Sequence, residues 1–161
     1  MGMPLYLRRI QPEQLASAGV DPLSLFHFGD EGKQRDLFAV GQMAAIDTAW
    51  QWLEPLLTGG LDSSSGAADL PVLGGRVVEI EGDAPALVLD PDGVRSAAEF
   101  LDRSTFDEFW ARNNAAANAA YGGSLAESGE VEELRSMLGE LRAFYCEAAA
   151  CGDSVVKWIA F

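Results

Sequence analysis

The stretch EVEELRSMLGELRAFYCEAAA, residues 130–150, contains the clearest secondary-structure signal of the sequence. Acidic residues crowd its first turn, where the helix dipole favours negative charge. Its apolar residues recur at alternating spacings of three and four, which places them on one side of a helix. These residues are Val131, Leu134, Leu138, Leu141, Tyr145 and Ala148. We therefore predict a long helix over 130–150 that lies across the core through Leu134, Leu138, Leu141 and Tyr145.

Short apolar or alternating runs on both sides of this helix predict strands. They lie at 3–9, 77–81, 86–89 and 155–159. A second amphipathic helix is predicted over 41–57, because Met43, Ile46, Trp50, Leu53 and Leu57 again recur at spacings of three and four. Thr58-Gly59-Gly60 marks its end.

Proline after a capping residue predicts further helices, which begin at Pro12, Pro22 and Pro91. Ser104 is predicted to cap the next helix, and 26–33 is predicted as a loop. Residues 61–69 are rich in small residues and are predicted to be a flexible loop. The chain is therefore predicted to be a single α+β domain over 1–161, with a small mixed or antiparallel sheet and about five helices packed on it.

The charge balance excludes several classes of function. The 161 residues include 11 Lys and Arg against 25 Asp and Glu, for a formal charge of −14. Nucleic-acid binding and attachment to anionic membranes both need clustered basic residues, so we expect neither. The same charge would attract a basic protein partner. No stretch has the apolar length of a membrane helix or the pattern of a secretory signal, so we expect a cytoplasmic protein.

The residues of redox and metal chemistry are sparse. Cys146 and Cys151 are five positions apart in one predicted helix, on different faces, so we expect no disulfide between them. His27 is the only histidine, and a zinc site needs several His or Cys ligands. We therefore expect no metal and no cofactor.

The sequence also resembles a known family. The segments that carry the resemblance are MGMPLYLRR, DTAWQWLEPLLTGG, LPVLGG, ALVLDPDGV and LRAFYCEAAACGDSVVKWIAF, in this order. They are similar to the YfbM-like family of small bacterial proteins, a domain of unknown function with the number 1877. The resemblance implies an α+β fold and a cytoplasmic location, and it implies no activity. The family pattern often has Lys where this chain has Thr48 and His where it has Glu54, so any chemistry of that His is absent here.

Several motifs have a structural explanation as well as a functional one. Asp90-Pro91 is explained as the start of a helix rather than a calcium loop. Glu79 and Glu81 would share one face of a strand, as a carboxylate pair or as its solvent face. The pairs Gly59-Gly60 and Gly74-Gly75 lack the lysine of a phosphate loop and are explained as turns.

The helix that carries the family resemblance provides most of the candidate binding residues. Asp47 and Glu54 flank Trp50 on or beside one face and could line a polar pocket above the core, although they could equally make the edge of an apolar stripe soluble. Trp52 falls off the stripe, which favours an exposed contact. The candidate binding residues are Asp47, Trp50, Trp52, Glu54, Thr58 and His27.

Three hypotheses on function follow. The first is a non-enzymatic binding or interaction protein, for example an immunity-like protein that masks a basic partner. The alternative is a small-molecule-binding protein or enzyme with a pocket around Asp47, Trp50 and Glu54, to which His27 could contribute. The third is a homodimer with a structural role.

Overall fold

The structure is a computed structural model that describes residues 2–17, 21–60 and 66–161. Within these ranges, five strands form one antiparallel sheet in the order β2-β1-β5-β4-β3. The strands are β1 (Leu5–Ile10), β2 (Met43–Ile46), β3 (Arg76–Val78), β4 (Ala86–Leu89) and β5 (Ser154–Ile159). The first and last strands of the chain are therefore neighbours at the centre of the sheet.

The same residues form seven α-helices and one short 3-10 helix, Pro22–Phe26. The α-helices are α1 (Pro12–Ala16), α2 (Glu31–Ala39), α3 (Trp50–Thr58), α4 (Pro91–Asp102), α5 (Phe106–Tyr121), α6 (Leu125–Ser128) and α7 (Val131–Ala150). The predicted α+β class, the single domain and the antiparallel sheet are confirmed. Sequence patterns predicted neither α6 nor α2, whose start lies in the predicted loop over 26–33.

Both faces of the sheet are covered, by cores of different size. Side chains of a strand point alternately to its two faces. Leu5 and Leu7 of β1 point into the larger core, under α3, α4, α5 and α7. Ile10 points into a smaller core, whose buried members are Ile10, Phe26, Met43, Ala86, Val88 and Val156. As predicted, α7 crosses the larger core, and its four named residues are all buried.

The predicted helix over 41–57 is wrong in its first half. Residues Met43–Ile46 form β2, which pairs with β1, and the helix begins only at Trp50. Met43 is buried in the smaller core and Ile46 in the larger one. A spacing of three places two residues on one side of a helix, but it also places them on opposite faces of a strand. With both faces of the sheet covered, the two patterns look alike.

Two smaller boundaries differ from the predictions, and a third prediction lies mostly outside the described residues. The strand predicted over 77–81 ends at Val78, so Glu79 and Glu81 do not share a strand face. The residue that caps α5 is Thr105, not Ser104, because its side chain accepts from the backbone N–H of Glu108. Of the loop predicted over 61–69, residues 61–65 lie outside the described residues, and 66–69 form bends and turns.

Candidate functional site

A cavity of about 790 Å³ lies between α3, α5 and the segment that leads into β3. We call it the α3–α5 cavity. Ligand pockets of proteins are typically about 300–1,000 Å³. Its walls are mainly apolar, with a few polar groups. The lining residues are Met3, Trp50, Gln51, Glu54, Pro55, Thr58, Gly60, Asp69, Leu73, Ala116, Ala119 and Ala120.

Helix geometry and two hydrogen bonds fix the α3 wall of this cavity. Trp50, Glu54 and Thr58 are four positions apart, which places them on one side of the helix. The indole Nε1 of Trp50 donates a hydrogen bond to the backbone oxygen of Met3 at 2.6 Å. Near the end of α3, Asn113 of α5 donates from Nδ2 to the backbone oxygen of Leu56 at 2.8 Å. Both ends of the wall are therefore tied to neighbouring segments.

Glu54 is the chemically distinctive residue of the cavity. Its Oε2 atom is buried and has no hydrogen-bond partner among the described residues. The pKa of Glu54 is raised to about 7, chiefly by burial and then by the charge of Asp69. The charge of Lys157 and a hydrogen bond from the backbone of Leu73 act in the opposite direction. Glu54 can therefore gain or lose a proton near neutral pH.

Lys157 lies beneath the cavity and is fully buried. Its Nζ donates to the backbone oxygen of Leu70 at 2.5 Å. Burial lowers the pKa of Lys157 to about 7, because an ammonium loses its hydration in the core, while the charge of Glu54 raises it. Lys157 is not among the candidate residues predicted from the sequence. Its one signal is a charged residue inside the apolar run of the last strand.

Tyr145 of α7 completes the buried polar cluster. Its hydroxyl donates to the backbone oxygen of Pro71 at 2.7 Å. Burial, and then the charge of Glu54, raise the pKa of Tyr145 well above its usual value, so it stays a neutral donor. Tyr145 and Lys157 together hold the carbonyls of residues 70 and 71, which positions the segment that carries Asp69 and Leu73 against the cavity.

The structure brings together three of the six candidate binding residues. Trp50, Glu54 and Thr58 line the α3–α5 cavity, whereas Asp47 is exposed and does not. Asp47 instead lies near the start of α7, where a hydrogen bond with Glu130 and, to a smaller extent, the charge of Asp47 raise the pKa of Glu133. Trp52 is half-buried rather than exposed, and its ring packs edge-to-face on Tyr121 at 5.3 Å.

His27 lines a different cavity, of about 890 Å³, with aromatic walls formed by Tyr6, Phe28 and Trp158. It caps the 3-10 helix in the left-handed conformation, with φ of 52°. This cavity lies over the smaller core, whereas Glu54 belongs to a helix over the larger one. The version of the alternative hypothesis that joins His27, Asp47 and Glu54 in one pocket is therefore wrong.

The remaining motifs have structural roles. Asp90 caps α4 by accepting from the backbone N–H of Gly93 at 2.7 Å. Gly74 is required by close approach, since a Cβ atom there would lie 2.7 Å from the backbone of Asp69. Cys146 and Cys151 are both exposed and free.

The described residues contain neither a metal-binding cluster nor a membrane-spanning helix. In those ranges no group of three or more His, Cys, Asp or Glu residues is arranged to hold a metal ion. Likewise, none of the helices described is both long enough and apolar enough to cross a membrane.

Comparisons with known proteins give a family and a fold. A family model described as a domain of unknown function (DUF1877) matches residues 1–158, which confirms the resemblance found in the sequence. Among solved structures, the protein of unknown function YfbM from Escherichia coli matches with a TM-score of 0.66 and 16% sequence identity. The match covers 98% of this chain and 100% of that chain. At this identity it shows the shared fold alone. No curated protein matches this chain.

Proposed function

We propose that this chain, which belongs to the DUF1877 family, is a small-molecule-binding protein whose ligand occupies the α3–α5 cavity. The observation that carries the proposal is the buried, unpartnered Oε2 atom of Glu54 at the cavity wall. A buried acceptor without a partner costs about 1–3 kcal/mol. A ligand that donates a hydrogen bond to this atom removes that cost.

The remaining walls suit the same role. Apolar surface with a small number of oriented polar groups is the usual composition of a ligand pocket. Trp50 and Leu73 provide apolar surface, and the hydrogen bond of Trp50 to Met3 holds the indole in place. A wall fixed before binding reduces the entropy cost of binding.

Two tryptophan substitutions on α5 test this proposal. Ala120 is exposed at the edge of the cavity, so Ala120→Trp fills its entrance. Ala115 is exposed on the same helix but does not line the cavity, so Ala115→Trp is the matched control. Each protein is incubated with a small-molecule extract of cells and examined by native mass spectrometry. We expect a bound ligand on the wild type and on Ala115→Trp, and none on Ala120→Trp. No bound ligand, or one that Ala120→Trp retains, would overturn the proposal.

A groove along β2 supports a second candidate function, which is binding of a basic protein partner. β2 is an edge strand of the sheet, and the groove beside it has a volume of about 580 Å³. Phe38 and Val40 expose 40% and 65% of their surface there. Glu140 and Glu147 of α7 stand along the same groove. An apolar groove with an acidic edge fits an extended basic segment.

Charge reversals at matched positions test this second function. Glu140→Lys with Glu147→Lys changes the groove, whereas Glu99→Lys with Glu127→Lys changes the net charge equally at exposed sites elsewhere. Proteins captured from a lysate are eluted with a salt gradient. We expect the wild type to capture a basic partner that is released at moderate salt. Capture of this partner should be lost in the Glu140→Lys, Glu147→Lys variant and kept in the control variant. Equal loss with both pairs would exclude the groove. Sedimentation of the wild type alone would reveal a homodimer instead.

A further inference from the structure

We infer that the ligand of the α3–α5 cavity is an organic cation, an amine carried on an apolar body. This inference rests on the proposed function and assigns a ligand class to it. The juxtaposition that carries it is a buried carboxyl oxygen without a partner on Glu54, a residue in the wall of a mainly apolar cavity whose charged lining residues are acids.

The charges at the cavity wall have one sign. Glu54 and Asp69 both line the cavity, and no Lys, Arg or His stands among its lining residues in the part of the chain that the structure describes. The wall therefore repels anions. An ammonium group both donates a hydrogen bond and supplies the opposite charge, and such charge-assisted bonds are stronger than neutral ones.

The buried lysine does not take the place of such a ligand. Lys157 is fully buried beneath the wall, does not line the cavity, and donates from Nζ to the backbone of Leu70. The Oε2 atom of Glu54 has no partner in the described residues even with Lys157 nearby. The acceptor thus has no partner among the described residues, and the residue that carries it lines the cavity.

The apolar walls determine the rest of the ligand. Met3, Trp50, Pro55 and Leu73 surround the polar group with apolar surface, and α5 adds only alanines. A small, fully hydrated amine gains little from such walls, whereas an amine with an aromatic or aliphatic body buries that body. Tryptophan is also the side chain that interacts best with a nearby cation.

A proton should leave the protein when the amine binds. The charged or titratable groups that act on Glu54 are Asp69 on the preceding segment, Lys157 on β5 and Tyr145 on α7. Because the pKa of Glu54 is about 7, the carboxyl is partly protonated at neutral pH. An ammonium binds the ionised form, so binding releases a proton and the affinity rises as the pH rises through 7.

Calorimetry with three small molecules that share the same apolar group tests the inference. Phenethylamine, phenethyl alcohol and hydrocinnamate share a phenyl ring on a short chain and differ in the terminal group. We expect phenethylamine to bind the full chain on the order of tenfold tighter than the alcohol, and hydrocinnamate to bind weakest. The binding enthalpy of phenethylamine should change with the ionisation enthalpy of the buffer, because a proton is released.

Two variants connect this preference to the site. Glu54→Gln should remove the preference for the amine and the proton release, whereas Glu99→Gln, at an exposed glutamate outside the cavity, should keep both. The proton release of the wild type needs no variant, so the test stands even if Glu54→Gln fails to fold.

The other outcomes separate this inference from the proposed function. Equal affinity for the amine and the alcohol, or tighter binding of hydrocinnamate, would overturn the amine assignment and leave the cavity a binding site. Absence of binding by all three probes would overturn the assignment as well. The proposed function is overturned only if the wild type carries no ligand from the extract, or if Ala120→Trp retains that ligand.

Discussion

Burial shifts the pKa values of Glu54 and Lys157 in opposite directions, toward a shared value. Their ordinary values are 4.5 and 10.5, and in the folded protein both are about 7. Burial disfavours the charged form of each residue, so it raises the pKa of the acid and lowers that of the base. Near neutral pH both residues are therefore partly protonated, although neither is exposed.

This pair predicts an unusual dependence of stability on pH. Between about 4.5 and 7, Glu54 holds a proton in the folded state that it loses in the unfolded state, so stability falls as the pH rises. Between about 7 and 10.5, Lys157 holds a proton only in the unfolded state, so stability rises with pH. The destabilisation by the pair is therefore largest near pH 7.

Replacement of both groups should remove the loss of stability that the pair causes near pH 7. Compared with the wild type, Glu54→Gln with Lys157→Met should have its greatest relative stability near neutral pH, by about 1–3 kcal/mol. Urea unfolding at acidic, neutral and alkaline pH measures the difference. The control pair, Glu140→Gln with Lys33→Met, makes the same charge change at exposed positions and should show no such maximum. A difference that is constant over the pH range would contradict the prediction.

At the scale of single residues, the sequence reveals the acid but not its neighbours. The spacing of Trp50, Glu54 and Thr58 places them together on any helix that includes them. Lys157 is different, because its acceptor, the carbonyl of Leu70, is 87 positions away in the chain. The apolar run around Lys157 predicts a strand, but only the folded chain brings residues 69–73 over it.

At the scale of elements, the end of α3 depends on a glycine that also contacts α5. Gly59 caps α3 with φ of 84°, and a Cβ atom there would lie 3.2 Å from Oδ1 of Asn113. Gly122 caps α5 with the same φ, and nothing lies within 4 Å of such an atom. The two positions share a backbone conformation and differ in their surroundings.

Alanine at these two caps should therefore have different effects. Gly122→Ala meets the backbone strain alone and should cost about 1–2 kcal/mol of unfolding free energy. Gly59→Ala also presses on Asn113, whose side chain holds the carbonyl of Leu56, and should cost on the order of 1 kcal/mol more. Thermal or urea unfolding gives both values. Equal costs would mean that Asn113 moves aside freely.

The start of α5 offers a test of a boundary that the sequence placed one residue early. Thr105 and Glu108 form a reciprocal cap, in which each side chain accepts from the backbone N–H of the other. Thr105→Ala should cost about 1 kcal/mol of stability. Ser104→Ala removes only a hydroxyl that accepts from Arg112 at an exposed site, so it should cost less than about 0.5 kcal/mol. A larger loss of stability for Ser104→Ala than for Thr105→Ala in urea unfolding would identify Ser104 as the cap.

The error over 41–49 comes from an ambiguity of local burial patterns, unlike the one-residue error at Ser104. Local patterns record which side chains are buried, but not whether a helix or a second sheet face buries them. Met43 and Ile46 satisfy a helical spacing while they sit on opposite faces of β2. In contrast, α7 has six apolar positions in phase over twenty residues, a pattern that no strand can produce, and it was predicted within one residue of its true start.

At the scale of the whole molecule, the sheet order places the two ends of the chain side by side. Residues Leu5–Ile10 of β1 pair with Ser154–Ile159 of β5 along their full lengths. The strand patterns predicted that the terminal strands belong to the sheet, but not that they are neighbours. Strand order depends on long-range pairing, which alternation within one strand does not encode.

A buried ion pair joins the two ends. Arg9 of β1 contacts Oδ2 of Asp153 from Nε at 3.0 Å and from a terminal guanidinium nitrogen at 2.9 Å. Both side chains are largely buried, and Asp153 directly precedes β5. The backbone N–H of Asp153 also donates to the carbonyl of Ala148, which connects this junction to the end of α7.

Loss of this pair should destabilise the whole domain. Asp153→Ala leaves the buried guanidinium of Arg9 without its carboxylate, and such a change costs about 3–5 kcal/mol. Asp107→Ala removes an exposed carboxylate that pairs with Arg135 between α5 and α7, and it should cost less than about 1 kcal/mol. Urea unfolding of the two variants gives the comparison. Because β1 and β5 are the central pair of the sheet, we expect Asp153→Ala to unfold in one cooperative step at lower urea concentration. Equal costs would mean that water reaches Arg9 and that the junction of the two chain ends is not part of the cooperative core.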